Sequence, residues 1–169
     1  MKNFQNLFHH ELRDMHSAEV QIVQLLPRLA QAADTQQLKD AFEKHYIETQ
    51  QHVVRLEKIA KDLEIPLGGR ECKVMQVIAE EAEKIITADY PPEVRDAALI
   101  SCAQRMEHYE IAVYGTLKAF AKHLGLKDVE QLLNETSKEE GAADKKLTEI
   151  AVGTVFGTGV NQQAVRKTA

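Results

Sequence analysis

The chain has 169 residues, 44% of them apolar and 28% charged, which suits one domain with its own core and excludes a disordered chain. Its net charge of -5 supplies no overall basic field, which argues against nucleic acid and anionic membrane surfaces as partners. Aromatics are few and Trp is absent, while Ala, Leu, Glu, Lys and Gln abound, a composition that favours helix throughout.

The amino-terminal segment brings in His9, His10 and Glu11 early and lacks a continuous apolar core. Neither a signal peptide nor a membrane anchor is expected, and the predicted location is cytoplasmic. Phe4, Phe8, Leu12, Met15, Ile22, Leu26 and Leu29 trace a helical stripe from about residue 4 to 33, with Glu19 on it. Pro27 predicts a kink or short break near residues 23 to 27 without ending the pattern. Asp34 or Thr35 is placed to cap a second helix, whose seam is read as Leu38, Phe42, His45, Glu48, His52, Leu56, Ile59 and Leu63. Pro66, Gly68 and Gly69 stop it.

A shorter amphipathic piece over about 72 to 88, with Val74, Val77, Ile78, Ala82 and Ile85 as its apolar face, reads as a crossover. Cys72 and Cys102 lie 30 residues apart without metal-type spacing and read as small buried thiols. A third long helix starts near Pro92 and keeps a seam through Asp96, Ile100, Ala103, Glu107, Glu110, Tyr114, Leu117, Ala121 and Leu124, until Gly125 stops it. The fourth carries Val129, Leu133, Thr136, Glu140, Ala143 or Asp144, Leu147 and Ala151. Residues 153 to 169 change to Gly, Thr, Val, Asn and Gln and are expected to form a flexible tail, disordered or packed on a partner subunit. The prediction is an all-α four-helix bundle over residues 1 to 152, two antiparallel hairpins joined by a long crossover that contains a short fifth helix.

Glu19, Glu48, Glu107, Glu110 and Glu140 fall on apolar seams, where a carboxylate is costly unless a cation accompanies it. In an antiparallel hairpin, residues equidistant from the turn share one height. Glu19 and Glu48 are symmetric about the turn near residue 33, and Glu110 with Glu140 and Glu107 with Asp144 about the turn at Gly125. Each second-helix Glu has a potential ligand four residues later, His52 in one half and Asp144 in the other. Such paired halves suit two divalent ions with bridging and terminal carboxylates, and the oxygen and imidazole donors suit Fe or Mn, with Zn a further option. Arg13 and Arg105 are too few to offset these acids. His45 reads as a support or core residue, His108 as surface, and Tyr109 and Tyr114 as packing or hydrogen-bonding groups near the site.

The stretches Ser17-Ala18-Glu19, His45 to Thr49, Arg95 to Ile100, Glu107-His108-Tyr109-Glu110-Ile111, Tyr114-Gly115-Thr116-Leu117, and Glu139-Glu140 with Asp144 to Thr148 resemble the YciF/YciE family of bacterial stress-associated ferritin-like proteins. The resemblance covers about residues 1 to 152 and implies a ferritin-like fold, a di-iron-type site, a homodimer and a link to stress response. In the wider rubrerythrin-like pattern, Glu19, Glu48, Glu107, Glu110 and Glu140 match residue by residue. Gln51 stands where the helix-two histidine is usual, with His52 one further on, and Asp144 stands where helix four usually has histidine.

The expectation is a centre of two transition-metal ions per chain, iron foremost and Mn or Zn as alternatives. Glu110 and either Glu48 or Glu140 would bridge, and Glu19, Glu107, His52 and Asp144 would be terminal or near ligands. The resemblance and the ligand types together imply ferroxidase or peroxidase-type chemistry, Fe(II) oxidised by peroxide or oxygen. The alternative is a dimeric helical stress-response interaction module with a structural metal or none.

Overall fold

In the computed structural model, which describes residues 2–154 and 157–168, Asn3 opens the fold by accepting the Asn6 amide on its side-chain oxygen at 2.8 Å. This caps α1 (Phe4–Ala32), which buries Phe8, Leu12, Met15, Ala18, Ile22, Leu26 and Leu29 along one face. The helix runs unbroken through Pro27, which lies on the exposed face, while Leu25, Leu26 and Leu29 are buried on either side of it. Each such side chain contributes roughly 1.5–3 kcal/mol on burial, enough together to offset the hydrogen bond that proline removes.

The α1–α2 turn is capped from a distant element. Thr35, at the N-cap of α2 (Gln36–Asp62), makes no capping bond with its own side chain. The carboxylate of Asp96, fully buried on α4 (Pro92–His123), accepts the Asp34 amide at 2.7 Å and the Thr35 amide at 2.9 Å. An acid on the third long helix therefore fixes the first turn to the opposite hairpin.

On α2 the buried set is Leu38, Phe42, His45, Thr49, His52, Leu56 and Ile59. The spacing alternates four and three residues without a lapse, so the inward position is Thr49, not Glu48. Glu48 stands one step round the helix with its side chain 28% exposed. The expected seam stepped from His45 to Glu48 and then to His52, three residues and then four; the structure steps four and then three, through Thr49.

α2 ends in a Schellman turn, with the Ile65 amide bonded to the Ala60 carbonyl at 2.7 Å and the Glu64 amide to the Lys61 carbonyl at 3.2 Å. Glu64 takes the left-handed conformation there, at φ 55°. The loop that follows is tied to α1: Arg13 donates to the Gly68 carbonyl at 2.6 Å, Arg70 to Asp14 at 2.8 Å, and the Cys72 amide to Ser17 Oγ at 2.9 Å.

The crossover helix α3 (Lys73–Thr87) packs on α1 and α4. It buries Met75 and Ala82, with Ile78, Ala79, Ile85 and Ile86 partly covered, and leaves Val74 and Val77 exposed. The expected apolar face was turned slightly too far toward those valines; Met75 takes the inward position. α4 and α5 (Lys127–Val152) form the second hairpin, joined through a Schellman turn in which Gly125 adopts φ 74° and the Leu126 amide bonds the Ala121 carbonyl at 2.9 Å. α1 packs on α2 and α4, and α5 on α2 and α4, closing the ferritin-like four-helix bundle expected from the sequence.

Within the segment expected as a flexible tail, β1 (Gly153–Thr154) pairs antiparallel with β2 (Gly157–Thr158), and α6 (Val160–Thr168) packs on α4 and α5. Gly153 and Gly159 make this hairpin feasible. A Cβ on Gly153 would lie 2.5 Å from the Gly157 carbonyl oxygen and the Gly159 nitrogen, and one on Gly159 would lie 2.3 Å from the Gly153 nitrogen. Among the described residues, no helix is long and apolar enough to cross a membrane.

Candidate metal centre

Each bundle helix supplies polar side chains to one buried level. α1 contributes Glu19, α2 contributes His45 and His52 one heptad apart, α4 contributes Glu107 and Glu110 three residues apart, and α5 contributes Glu140. Glu19, His52, Glu110 and Glu140 have no exposed surface, Glu107 has 1% and His45 has 4%. His45 Nε2 lies 3.2 Å from Glu107 Oε1 and 3.7 Å from Glu140 Oε2. His52 Nδ1 lies 2.8 Å from Glu140 Oε1 and 3.5 Å from Glu19 Oε1. The donor atoms fall into two groups, each within 4.8 Å: His45, Glu107, Glu110 and Glu140 in one, Glu19, His52 and Glu140 in the other. Glu140 belongs to both, the position a bridging carboxylate occupies between two ions.

The surroundings orient these ligands without satisfying them. His52 Nε2 meets Glu139 Oε2 at 3.0 Å, and Arg55 holds Glu139 through both terminal nitrogens. A proton on Nε2 then leaves Nδ1 free toward Glu19 and Glu140, the arrangement in which a carboxylate sets the tautomer of a metal-binding imidazole. The Tyr114 hydroxyl donates to Glu19 Oε1. Both oxygens of Glu110, both of Glu140, Oε2 of Glu19 and Oε2 of Glu107 lack hydrogen-bond partners, as do His52 Nδ1 and both ring nitrogens of His45. The short His52–Glu140 approach is not aligned as a hydrogen bond. Unpaired nitrogen and carboxylate oxygen atoms converge there, which is the geometry a cation would complete.

Burial, followed by repulsion from Glu140, Glu19 and Glu107, pushes the Glu110 carboxyl well above the carboxylate range. Burial also raises Glu19 and Glu140, against the pull of His52 on both and of His45 on Glu140. Burial works against charge on His52, but Glu140 and Glu19 outweigh it and lift its pKa to about 10; burial also opposes charge on His45, and Glu107, Glu48 and Glu140 raise it well above its usual value. Burial and the neighbouring Glu19 push the Tyr114 phenol upward. Without a metal, the cluster retains protons.

Of the residues expected as ligands, the structure brings Glu19, His52, Glu107, Glu110 and Glu140 together. Glu48 stands beside the cluster, 3.9 Å from His45 Nδ1 and 2.7 Å from Lys44 Nζ. Asp144 stands outside it: the side chain, 23% exposed, accepts from Gln104 Nε2 at 3.1 Å and lies 3.2 Å from His108 Nε2. Its short stem and a position one residue beyond Ala143 direct it to the flank of α4. His45 joins the ligand atoms instead. The heptad spacing from His45 to His52 was the signal for it. His52 is buried and Gln51 exposed, so the shifted histidine faces the site. Glu139 figured in the sequence only within the Glu139-Glu140 stretch, and Arg55, which holds it, was missed in favour of Arg13 and Arg105.

The family model described as a domain of unknown function, DUF892, matches residues 3–164. The chain belongs to this family. Protein YciF of Escherichia coli (strain K12) is 40% identical over 156 residues, 92% of this chain and 94% of that protein. The crystal structure of the E. coli stress protein YciF superimposes with a TM-score of 0.87, covering 90% of this chain and 96% of that one at 40% identity. YcfI from Rhodopseudomonas palustris follows at 0.85, with 36% identity and coverage of 89% and 96%. A Xanthomonas campestris protein with 18% identity and a TM-score of 0.74, covering 99% of this chain and 100% of that one, shares the fold. The resemblance to YciF-type proteins read from the sequence holds, and the family match extends past residue 152 into the first half of α6, to residue 164.

Proposed function

We propose that the buried cluster holds two divalent transition-metal ions, with iron favoured and Mn or Zn as alternatives, and that the protein oxidises Fe(II) with peroxide or oxygen as part of stress defence. The observation that carries this reading is Glu110, a fully buried carboxylate with both oxygens unpaired and three other carboxylates around it. Four carboxylates balance the charge of two divalent ions when both imidazoles are neutral. Glu19, His52 and Glu140 would hold one ion, and His45, Glu107, Glu110 and Glu140 the other. Such a pair, when bound, supplies redox chemistry that the side chains alone lack.

The chain's own residues prepare that chemistry. Glu139, clamped by Arg55, fixes the His52 ring. Tyr114 keeps a hydroxyl proton on Glu19. Glu19, His52, Glu110 and Glu140 have no exposed surface, so bulk water does not reach them. The link to stress defence comes from the E. coli relative, which is described as a stress protein.

Elemental analysis of protein purified without chelator tests the metal, with Glu110→Ala plus Glu140→Ala as the comparison. About two ions per chain, lost in the double variant, is the expected result for a di-metal bundle. Trace metal in the parent would sink it. Turnover is then followed as Fe(II) loss on adding peroxide.

A second reading, a self-associating helical module in which any metal is structural, draws on Ile47 and Val54. They lie one heptad apart on α2 and are 61% and 54% exposed. Sedimentation equilibrium of the parent and an Ile47→Glu variant measures the association, which would be a homodimer. Metal content without Fe(II) turnover would favour this reading.

A further inference from the structure

We infer that Glu48 is a transit ligand, the carboxylate that passes divalent cations from solvent into the buried centre through a cavity between α2 and α5, and not a resident ligand. The inference rests on the di-metal reading above. The cavity, about 510 Å³, is lined by Lys44, Glu48, His45 and Glu107 together with residues 142–149 of α5 in part. Of the six cluster residues, only His45 and Glu107 retain any exposure, and these two line the cavity. The route from solvent to the centre therefore passes through them.

Glu48 is suited to the step before them. It stands off the α2 seam because Thr49 occupies the inward position, so its carboxylate stays partly solvated. One oxygen is held by Lys44 at 2.7 Å and the other lies 3.9 Å from His45 Nδ1. A divalent cation entering a fully buried site must shed its water, which is costly unless protein oxygens replace that water one at a time. Glu48 offers the first replacement where water still reaches, next to a histidine of the cluster. Lys44, 73% exposed, occupies the carboxylate until a cation displaces it.

A transit ligand lowers the barrier without altering either end state. Its loss therefore slows entry and release by the same factor and leaves the equilibrium unchanged. Loss of a resident ligand speeds release and lowers the amount bound. The two roles separate in stopped-flow loading with Co(II), read by its visible absorbance bands, followed by release into excess EDTA.

In Glu48→Gln the bound Co(II) and its spectrum are expected to match the parent, with entry and release both slowed by about tenfold or more, equivalent to about 1.4 kcal/mol on the barrier. Lys44→Met, which frees Glu48, should load faster than the parent to the same end point. Unchanged rates in Glu48→Gln would overturn the proposal by placing the entry elsewhere. Faster release or a changed spectrum would overturn it by making Glu48 a resident ligand. A parent that binds no Co(II) would overturn it together with the di-metal reading, recognisable because the parent alone decides that outcome.

Discussion

Glu110 is the residue on which folding and function pull apart. Its carboxyl is fully buried, unpaired and pushed well above its ordinary range by burial and by three acidic neighbours. Replacing buried ionic groups with well-packed apolar ones often stabilises by about 1–4 kcal/mol. Glu110→Leu should accordingly raise the thermal midpoint of chelator-treated protein while abolishing two-ion loading. A lower midpoint in calorimetry would show that the carboxyl is satisfied by protons alone. Glu139 tests the opposite case, a residue that shapes the centre without entering it. Glu139→Gln should weaken metal affinity by about 10–100-fold, the usual effect of losing an outer partner of a ligating histidine, with the ion count preserved. A chelator competition titration measures it. Most of these residues were legible in the sequence because mirror spacing about two turns is a strict geometric condition. Glu48 and Asp144 met that condition in height but not in rotation about the helix, which height cannot report. His45 was undervalued because a histidine on an apolar seam is common, and only its heptad relation to His52 sets it apart.

The helices follow their sequence patterns closely, and their ends divide into the readable and the hidden. Gly125 announced the α4 stop. The corresponding turn after α2 uses Glu64, a side chain held at φ 55° where glycine is at ease, and nothing in its chemistry signals that. Left-handed backbone costs a non-glycine residue roughly 1–2 kcal/mol, part of which glycine returns through its freer unfolded state. Glu64→Gly should stabilise by up to about 1 kcal/mol and Gly125→Ala should destabilise by about 1 kcal/mol or more. Urea unfolding of the two variants gives the signs directly; the same sign for both would contradict this account of the turns. Asp96 was equally unreadable. It lay on the predicted α4 seam as one more acid, and its two backbone amide partners sit more than sixty residues away in sequence. Long-range capping of this kind leaves no local spacing to recognise.

At the scale of the molecule, the buried charges make stability depend on pH and on metal together. In the metal-free protein His52 titrates at about 10 instead of 6.5, so its contribution is complete below about 6.5 and fades as pH rises toward 10. Glu19, Glu110 and Glu140 have raised folded pKa values, so above about 4.5 the unfolded chain ionises while these carboxyls resist, which also lowers stability as pH rises. Glu48, held at about 2 by His45 and Lys44, acts in reverse and adds stability that is lost as pH falls from 4.5. The metal-free midpoint should therefore be highest near pH 4.5 and decline from there toward 10. Metal favours the deprotonated ligands and should flatten the decline. Circular dichroism melts across that range, with and without added metal, check both; a metal-free midpoint that rises with pH would contradict the charge assignment.

The hairpin after α5 carries a consequence for sequence variation. At Gly153 an added methyl group would strike main-chain atoms of Gly157 and Gly159, and at Gly159 those of Ala151, Val152 and Gly153, not a side chain that a second change could shorten. Neither position can be rescued by substitution at the other. In any relative that keeps this fold-back of α6 onto α4 and α5, both glycines should be invariant, and a chain that has lost one should also have lost the hairpin. Divergence at these two positions should proceed by deletion of the whole extension and not by gradual replacement.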